Sequence, residues 1–255
     1  MKINYLELLL PQFFQSYYIK QLLYKIKSFY FGYIKNKKTD RNFKHNWKGI
    51  NINRQALINR GIFRIKEIKN KCNYLEIGCD RDQNFNSIAL EQEYKTGVDP
   101  KRGGTLRDVS DNFFKQNKNL FDIVFVDGLH HYEQCQKDII NSINCIDEFG
   151  IIFIHDLLPR DWKIEHVPRC NESWCGDVWK VAIELNNSDY VDFYIADVDS
   201  GVGCAFVTKK SNYKRMNKEL LNKHYDYFLD NIRNCNLIHP NKLLKIISNF
   251  NFSNN

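Results

Sequence analysis

Apolar runs alternate with amphipathic stretches through the middle of this chain. Apolar residues recur at helical spacing from Arg54 to Lys69, and a short apolar run, Tyr74 to Ile77, follows. The pattern then predicts a helix over Phe85 to Gln92, a strand ending at Val98 and a turn rich in glycine at Gly103 and Gly104. A strong apolar run, Phe121 to Val126, a helix from His131 to Ile146 and another run, Ile151 to Ile154, continue it. Such alternation predicts an α/β domain whose mostly parallel sheet is covered by helices on both faces. The end departs from it. Asp192 to Ala196 and Cys204 to Thr208 bracket the turn Asp199-Ser200-Gly201-Val202-Gly203, which predicts a hairpin that adds an antiparallel strand. Helical patterning resumes from Tyr213 to Phe250, interrupted by Pro240.

The first 48 residues form a separate unit by composition. They hold ten lysines and arginines against Glu7 and Asp40, so this segment carries +8 of a chain whose net charge is +7, and the remainder is −1. Leu8 to Leu10, Phe13, Phe14, Tyr17, Tyr18, Leu22, Leu23, Ile26 and Phe29 to Phe31 recur at roughly helical spacing, with Pro11 as a breaker or starter. No stretch is long and apolar enough to span a bilayer. The segment therefore packs on the domain or on another copy of the chain, or lies on an anionic membrane surface. Aromatic residues this dense read as a buried face, so nucleic acid is not an expected partner. The polar stretch from Lys35 to Asn46 marks the boundary, which gives an extension over 1–48, the α/β domain over 49–210 and a helical tail over 211–255. The eight cysteines are irregularly spaced and no signal peptide precedes them, which suits reduced thiols and a cytoplasmic protein, membrane-associated if the extension lies on lipid.

In an open α/β sheet, ligands bind beyond the carboxyl ends of the strands. The first apolar run leads into Glu76-Ile77-Gly78-Cys79-Asp80 and the second into Gly97-Val98-Asp99-Pro100. A glycine lets a cofactor approach the backbone, and a carboxylate after the second strand can accept both ribose hydroxyls, so the pair implies a nucleoside. The pyrophosphate pattern G-x-G-x-x-G is missing, which argues against NAD or FAD. Acidic Glu76, Asp80 and Asp82 instead suit a cationic ligand without phosphates, such as S-adenosylmethionine.

Over residues 74 to 206 the motifs Tyr74-Leu75-Glu76-Ile77-Gly78, Gly97-Val98-Asp99-Pro100, Ser110-Asp111-Asn112-Phe113-Phe114, Asp127-Gly128-Leu129-His130, His155-Asp156, Trp174-Cys175-Gly176-Asp177-Val178-Trp179-Lys180 and Asp199-Ser200-Gly201-Val202-Gly203 occur in order. This series resembles the class I S-adenosylmethionine-dependent methyltransferases, in particular a bacterial type met in surface-glycan and secondary-metabolite pathways and similar to macrolide sugar O-methyltransferases. The second glycine of the usual first motif is absent. The resemblance implies a Rossmann-like fold with a seven-stranded, mostly parallel sheet and an antiparallel C-terminal hairpin strand. It implies that Glu76, Gly78, Asp99 and Asp127 line the cofactor site, with Ser110 or Asp111, after a third strand, near the adenine; a helix N-cap is the other reading of Ser110-Asp111.

The acceptor must lie above the cofactor, where Asp127 to His131 and His155-Asp156 end adjacent strands. Removing a hydroxyl proton needs a base, and histidine suits that task near neutral pH. His130 is the first choice, with His131 and His155 as rivals. The macrolide-pathway resemblance implies a divalent metal on Asp127 and Asp156 with His155 as a further ligand; magnesium prefers oxygen, and an imidazole shifts the balance toward manganese or another transition ion. In the connection from Pro159 to Trp179, Asp161, Arg169, Trp174 and Asp177 could grip a sugar, while Trp179 is expected to anchor the next helix. The expected activity is O-methylation of a sugar or glycosylated metabolite. The alternatives are N- or carboxyl-methylation of another small molecule and a non-catalytic cofactor-binding protein.

Overall fold

The computed structural model describes residues 17–46, 51–208 and 217–250. The expectations for Leu8 to Phe14, the boundary at 48/49 and the helix start at Tyr213 lie outside these residues. Helices α1 (Tyr17–Phe29) and α2 (Arg54–Lys69) precede strand β1 (Tyr74–Ile77). Helix α3 (Gln83–Ser87), β2 (Lys95–Val98), α4 (Ser110–Gln116), β3 (Phe121–Val126), α5 (Tyr132–Cys145) and β4 (Ile146–Ile154) follow. The chain continues through α6 (Trp162–Glu165), α7 (Trp179–Asn186), β5 (Val191–Ala196), β6 (Val202–Val207), α8 (Tyr225–Asn231), β7 (Leu237–Ile238) and α9 (Pro240–Asn249).

The seven strands lie in the order β2-β1-β3-β4-β6-β5-β7. Strands β1 to β4 pair in parallel, and β6 enters antiparallel between β4 and β5. This is a Rossmann-like fold, as the resemblance implies, and its mostly parallel sheet follows the alternating pattern. Every residue of β1 and β3 is buried, because helices cover both faces and leave neither for water. Alternate side chains feed two cores. Leu75, Ile77, Val124, Val126, Ile152 and Ile154 pack with α5 and α7, whereas Tyr74, Ile123, Phe125, Ile151 and Phe153 meet α2 and α9.

Local chemistry sets the ends of α2. The Asn53 side chain accepts from Ala56 N at 3.0 Å, and Asn70 closes the helix in the left-handed conformation. Its buried face is Leu57, Ile58, Ile62 and Ile65. A side chain at Gly61 would stand 3.0 Å from Ile123, so this helix lies directly on β3.

Several expectations change. Between β2 and α4 the described residues form no third strand; Leu106 makes a single bridge to Val98. The seventh strand comes from the tail instead, where β7 pairs in parallel with β5 at the sheet edge. Pro240 does not interrupt a helix there but starts α9, whose missing N–H costs nothing at that position. Leu243 and Ile247 of α9 are fully buried, so the tail completes the core. The polar stretch before α2 is likewise part of the domain: Phe43 is buried, and Asp197 accepts hydrogen bonds from the Asn46 backbone and contacts the His45 ring. The expected helix over Phe85 to Gln92 is only the short α3. All eight cysteines are buried, and none is in a disulfide.

Candidate active site

The turn after β1 is set by close backbone contact. Gly78 has φ +89°, and a Cβ there would lie 2.1 Å from the carbonyl oxygen of Asp127. Only glycine admits that approach, and it brings the end of β1 against the end of β3. Glu76 is fully buried in β1, where its Oε2 accepts from Tyr74 Oη at 2.5 Å and Asn84 Nδ2 at 2.8 Å. Burial pushes its carboxyl up to about 7 despite these two bonds.

Asp99 stands at the end of β2 with both carboxylate oxygens engaged. Oδ2 accepts from the backbone N–H groups of Cys79 and Asp80, and Oδ1 from those of Lys101 and Arg102, at 2.7 to 3.1 Å. A ribose would thus meet a carboxylate that already ties the β1 turn to the β2 turn. The Gly103-Gly104 turn folds onto the same loop, where Gly104 N donates to Asp82 Oδ1 and the Arg102 guanidinium pairs with Asp80. Ser110 and Asp111 are the first residues of α4; Val109 is the N-cap and makes no side-chain cap bond. Both accept from Gln134 Nε2, at 3.2 and 2.9 Å, which ties α4 to the start of α5.

At the ends of the adjacent strands β3 and β4 the charged groups converge. Asp127, His130 and Asp156 each offer one ligand atom, all within 4.8 Å of one another. His130 Nε2 lies 3.4 Å from Asp127, while its Nδ1 lies 3.3 Å from Asp156 and 2.7 Å from the Trp174 carbonyl oxygen. His155 Nδ1 lies 3.2 Å from Asp127 and 3.4 Å from Asp156. Burial opposes charge on both imidazoles, yet Asp156 and Asp127 prevail and hold both histidines above their ordinary pKa. Desolvation likewise acts against the two carboxylates, and the histidines outweigh it, keeping Asp127 and Asp156 below the usual range.

The sequence reading brings Asp127, His130, His155 and Asp156 together here. His131 sits to one side, as the N-cap residue of α5, its ring edge-on to Trp174 at 5.7 Å. Three further residues, to which the sequence reading gives no role in the site, join this cluster, and Arg54 among them lies outside the motif series. Arg54, the first residue of α2, places Nη1 3.0 Å from His155 Nε2 and 2.9 Å from Asp199 in the β5–β6 turn. Guanidinium only donates, so its contact with His155 needs the Nε2 lone pair; Asp199 Oδ2 lies 3.8 Å from the same nitrogen. Cys175 places its thiol 3.3 Å from Asp156.

The connection from 159 to 178 closes over this cluster. A Cβ at Gly176 would lie 1.8 Å from the His130 carbonyl oxygen, so the two loops touch backbone to backbone. Two of the expected sugar contacts have structural partners instead: Asp161 caps α6, and Asp177 accepts from Tyr132 N at the start of α5 and from Lys180. Arg169 stacks over Trp174 and Tyr24. Trp179 is fully buried against Phe228 and anchors α7.

Residues 62–157 match the family model described as "Methyltransferase domain". No curated protein matches the chain by sequence. Among solved structures, the chain is similar to one from Klebsiella pneumoniae provisionally described as an O-methyltransferase (12% identity, 63% of this chain and 83% of that one, TM-score 0.47). It is also similar to the Podospora anserina methyltransferase PaMTH1 with bound SAH (17%, 74% and 88%, 0.44). A third is MycE of the mycinamycin biosynthetic pathway, in complex with Mg, SAH and mycinamycin VI (16%, 60% and 49%, 0.38). The matched residues run from the middle of α2 to the end of β4, past the charged cluster, so the likeness to a methyltransferase domain covers the part of the chain that carries the site.

Proposed function

We propose that the chain transfers the methyl group of S-adenosylmethionine to a hydroxyl of a sugar or glycosylated metabolite. The observation that carries this reading is the convergence of Asp127, His130 and Asp156, with His155 beside them, next to the glycine turn of β1. In the transfer, the bond from methyl carbon to sulfur breaks as a bond from carbon to the acceptor oxygen forms. Sulfur keeps the electron pair, and the hydroxyl proton needs a base. The sugar assignment rests on the motif series from Glu76 to Gly203.

One half-buried and one buried carboxylate and an imidazole, from the turns after β3 and β4 and with converging ligand atoms, fit a divalent cation. Asp127, His130 and Asp156 would hold it, and the nitrogen ligand favours manganese or another transition ion over magnesium. Its charge would lower the pKa of an acceptor hydroxyl. His155 is then the imidazole left to take the proton, once its Nε2 exchanges Arg54 for the acceptor hydroxyl while Asp127 holds Nδ1. Without a cation His130 would serve once its Nε2, 3.4 Å from Asp127, turns to the acceptor while the Trp174 carbonyl holds Nδ1.

The test is S-adenosylhomocysteine formation with free and nucleotide-linked sugars and glycosylated metabolites as acceptors, with and without manganese. An O-methyl product that disappears in His155→Asn or His130→Asn and persists in His131→Ala supports the reading. Turnover only with amines or carboxylic acids overturns the hydroxyl assignment. Absence of S-adenosylmethionine binding by calorimetry overturns the cofactor assignment.

A further inference from the structure

Helix α1 and the single helical turn that follows it, Tyr30–Ile34, have two different faces. One meets the domain. Gln21 donates to Glu172 at 2.6 Å, Lys27 to the Arg169 carbonyl, Tyr24 lies under the Arg169 guanidinium, and the Phe31 ring stacks near His166 at 4.3 Å. Gly32 is buried so closely on Trp162 that a Cβ would stand 2.9 Å from its ring.

The other face is apolar and open to solvent. Leu22, Ile26, Phe29 and Tyr33 follow one another at steps of four, three and four residues and therefore share one stripe of the helix. They are 58%, 56%, 60% and 64% exposed. Tyr30 and Ile34 widen the stripe at its end. An aligned row of large apolar side chains on one helix is unlike the scattered exposed leucines of ordinary surfaces and marks an interaction site.

Charge identifies the occupant. Between residues 17 and 40 the sequence has six lysines and one acidic residue, Asp40, which pairs with Lys38 at 3.1 Å. Lys20 and Lys25 are exposed on α1, and Lys35 and Lys38 are exposed just beyond it, their ammonium groups 5.7 and 5.4 Å from the Tyr30 and Tyr33 rings. A second copy of the chain would bring a second set of these lysines against the first, which like-charge repulsion opposes. Basic side chains beside an apolar and aromatic stripe instead complement a negatively charged lipid surface, where the stripe enters the acyl boundary and lysines meet headgroups. No helix among the described residues is long and apolar enough to cross a membrane.

We propose that α1 and residues 30–38 form a docking face for the surface of an anionic phospholipid bilayer, lying parallel to it. The connection that covers the active site rests on the opposite side of the same helix, so docking sets that connection close to the membrane.

Flotation of the full-length protein with phosphatidylcholine vesicles, and with vesicles containing about a third phosphatidylglycerol, tests this. The expected result is flotation with the anionic vesicles alone, weakened at least tenfold by 0.5 M salt and by Lys20→Glu with Lys25→Glu, and abolished by Ile26→Glu with Phe29→Glu. Circular dichroism and the unfolding midpoint verify that the variants fold; these side chains are exposed, so both should match wild type. Wild-type protein that stays behind with both vesicle types overturns the proposal, as does equal flotation with neutral and anionic lipid. Dimerisation that Phe29→Glu abolishes, without vesicle binding, assigns the face to a second copy and overturns it too.

Discussion

The α-carbon of Gly78 faces the carbonyl oxygen of Asp127 so closely that a methyl group there would lie 2.1 Å from it. The glycine of the turn after β1 is therefore the spacer that lets β1 and β3 end side by side and places Asp127 within reach of His130 and His155.

Gly78→Ala must meet both this clash and a φ of +89°. Stability should fall by about 2 kcal/mol or more, and S-adenosylhomocysteine affinity at least tenfold. Urea unfolding and calorimetry read the two effects. Wild-type stability would show that the two turns separate freely.

Asp99→Ala leaves four backbone N–H groups without their carboxylate. A carboxylate that only held a ribose would affect binding alone, whereas this one joins two turns. The expected cost is roughly 2–4 kcal/mol, a drop of about 5–10 °C in the ligand-free unfolding midpoint. An unchanged midpoint with lost cofactor affinity would show that the turns hold without it.

Asp156→Asn removes one of the three converging ligands. Manganese affinity, measured by calorimetry on the ligand-free protein, should fall at least thirtyfold, with His131→Ala within threefold of wild type. Equal weakening by both variants would place the cation elsewhere.

Glu165 is buried in α6 with Trp179 Nε1 donating to it at 3.2 Å, and burial pushes its carboxyl up to about 8. Its folded pKa is thus above the unfolded value. The associated stability is fully present below the ordinary glutamate range and is lost as pH rises toward about 8. Glu165→Gln keeps an acceptor for Trp179 and removes the charge. It should raise the unfolding midpoint at pH 8 by several degrees and flatten its decline between pH 5 and 8. An unchanged slope would locate the pH dependence in other groups.

Much of this protein is legible in its sequence where one short stretch carries the information. The spacing of Leu57, Ile58, Ile62 and Ile65 determines α2, the doubly buried runs determine β1 and β3, and the strand ends name Gly78, Asp99, Asp127, His130, His155 and Asp156. What it could not give depends on residues far apart in the chain. The seventh strand at Leu237–Ile238 is too short for any pattern and exists because β5 offers it an edge. Arg54 reads as an ordinary helix start until the fold carries it 101 residues along the chain to His155. Asp161 and Asp177 carry the residue type of a sugar contact, but which N–H groups they cap is decided when α6 and α5 are brought beside them. Periodicity and turn chemistry act between neighbours and so are written locally, whereas which ligand atoms converge is a property of the packed sheet ends and appears only once the chain has folded.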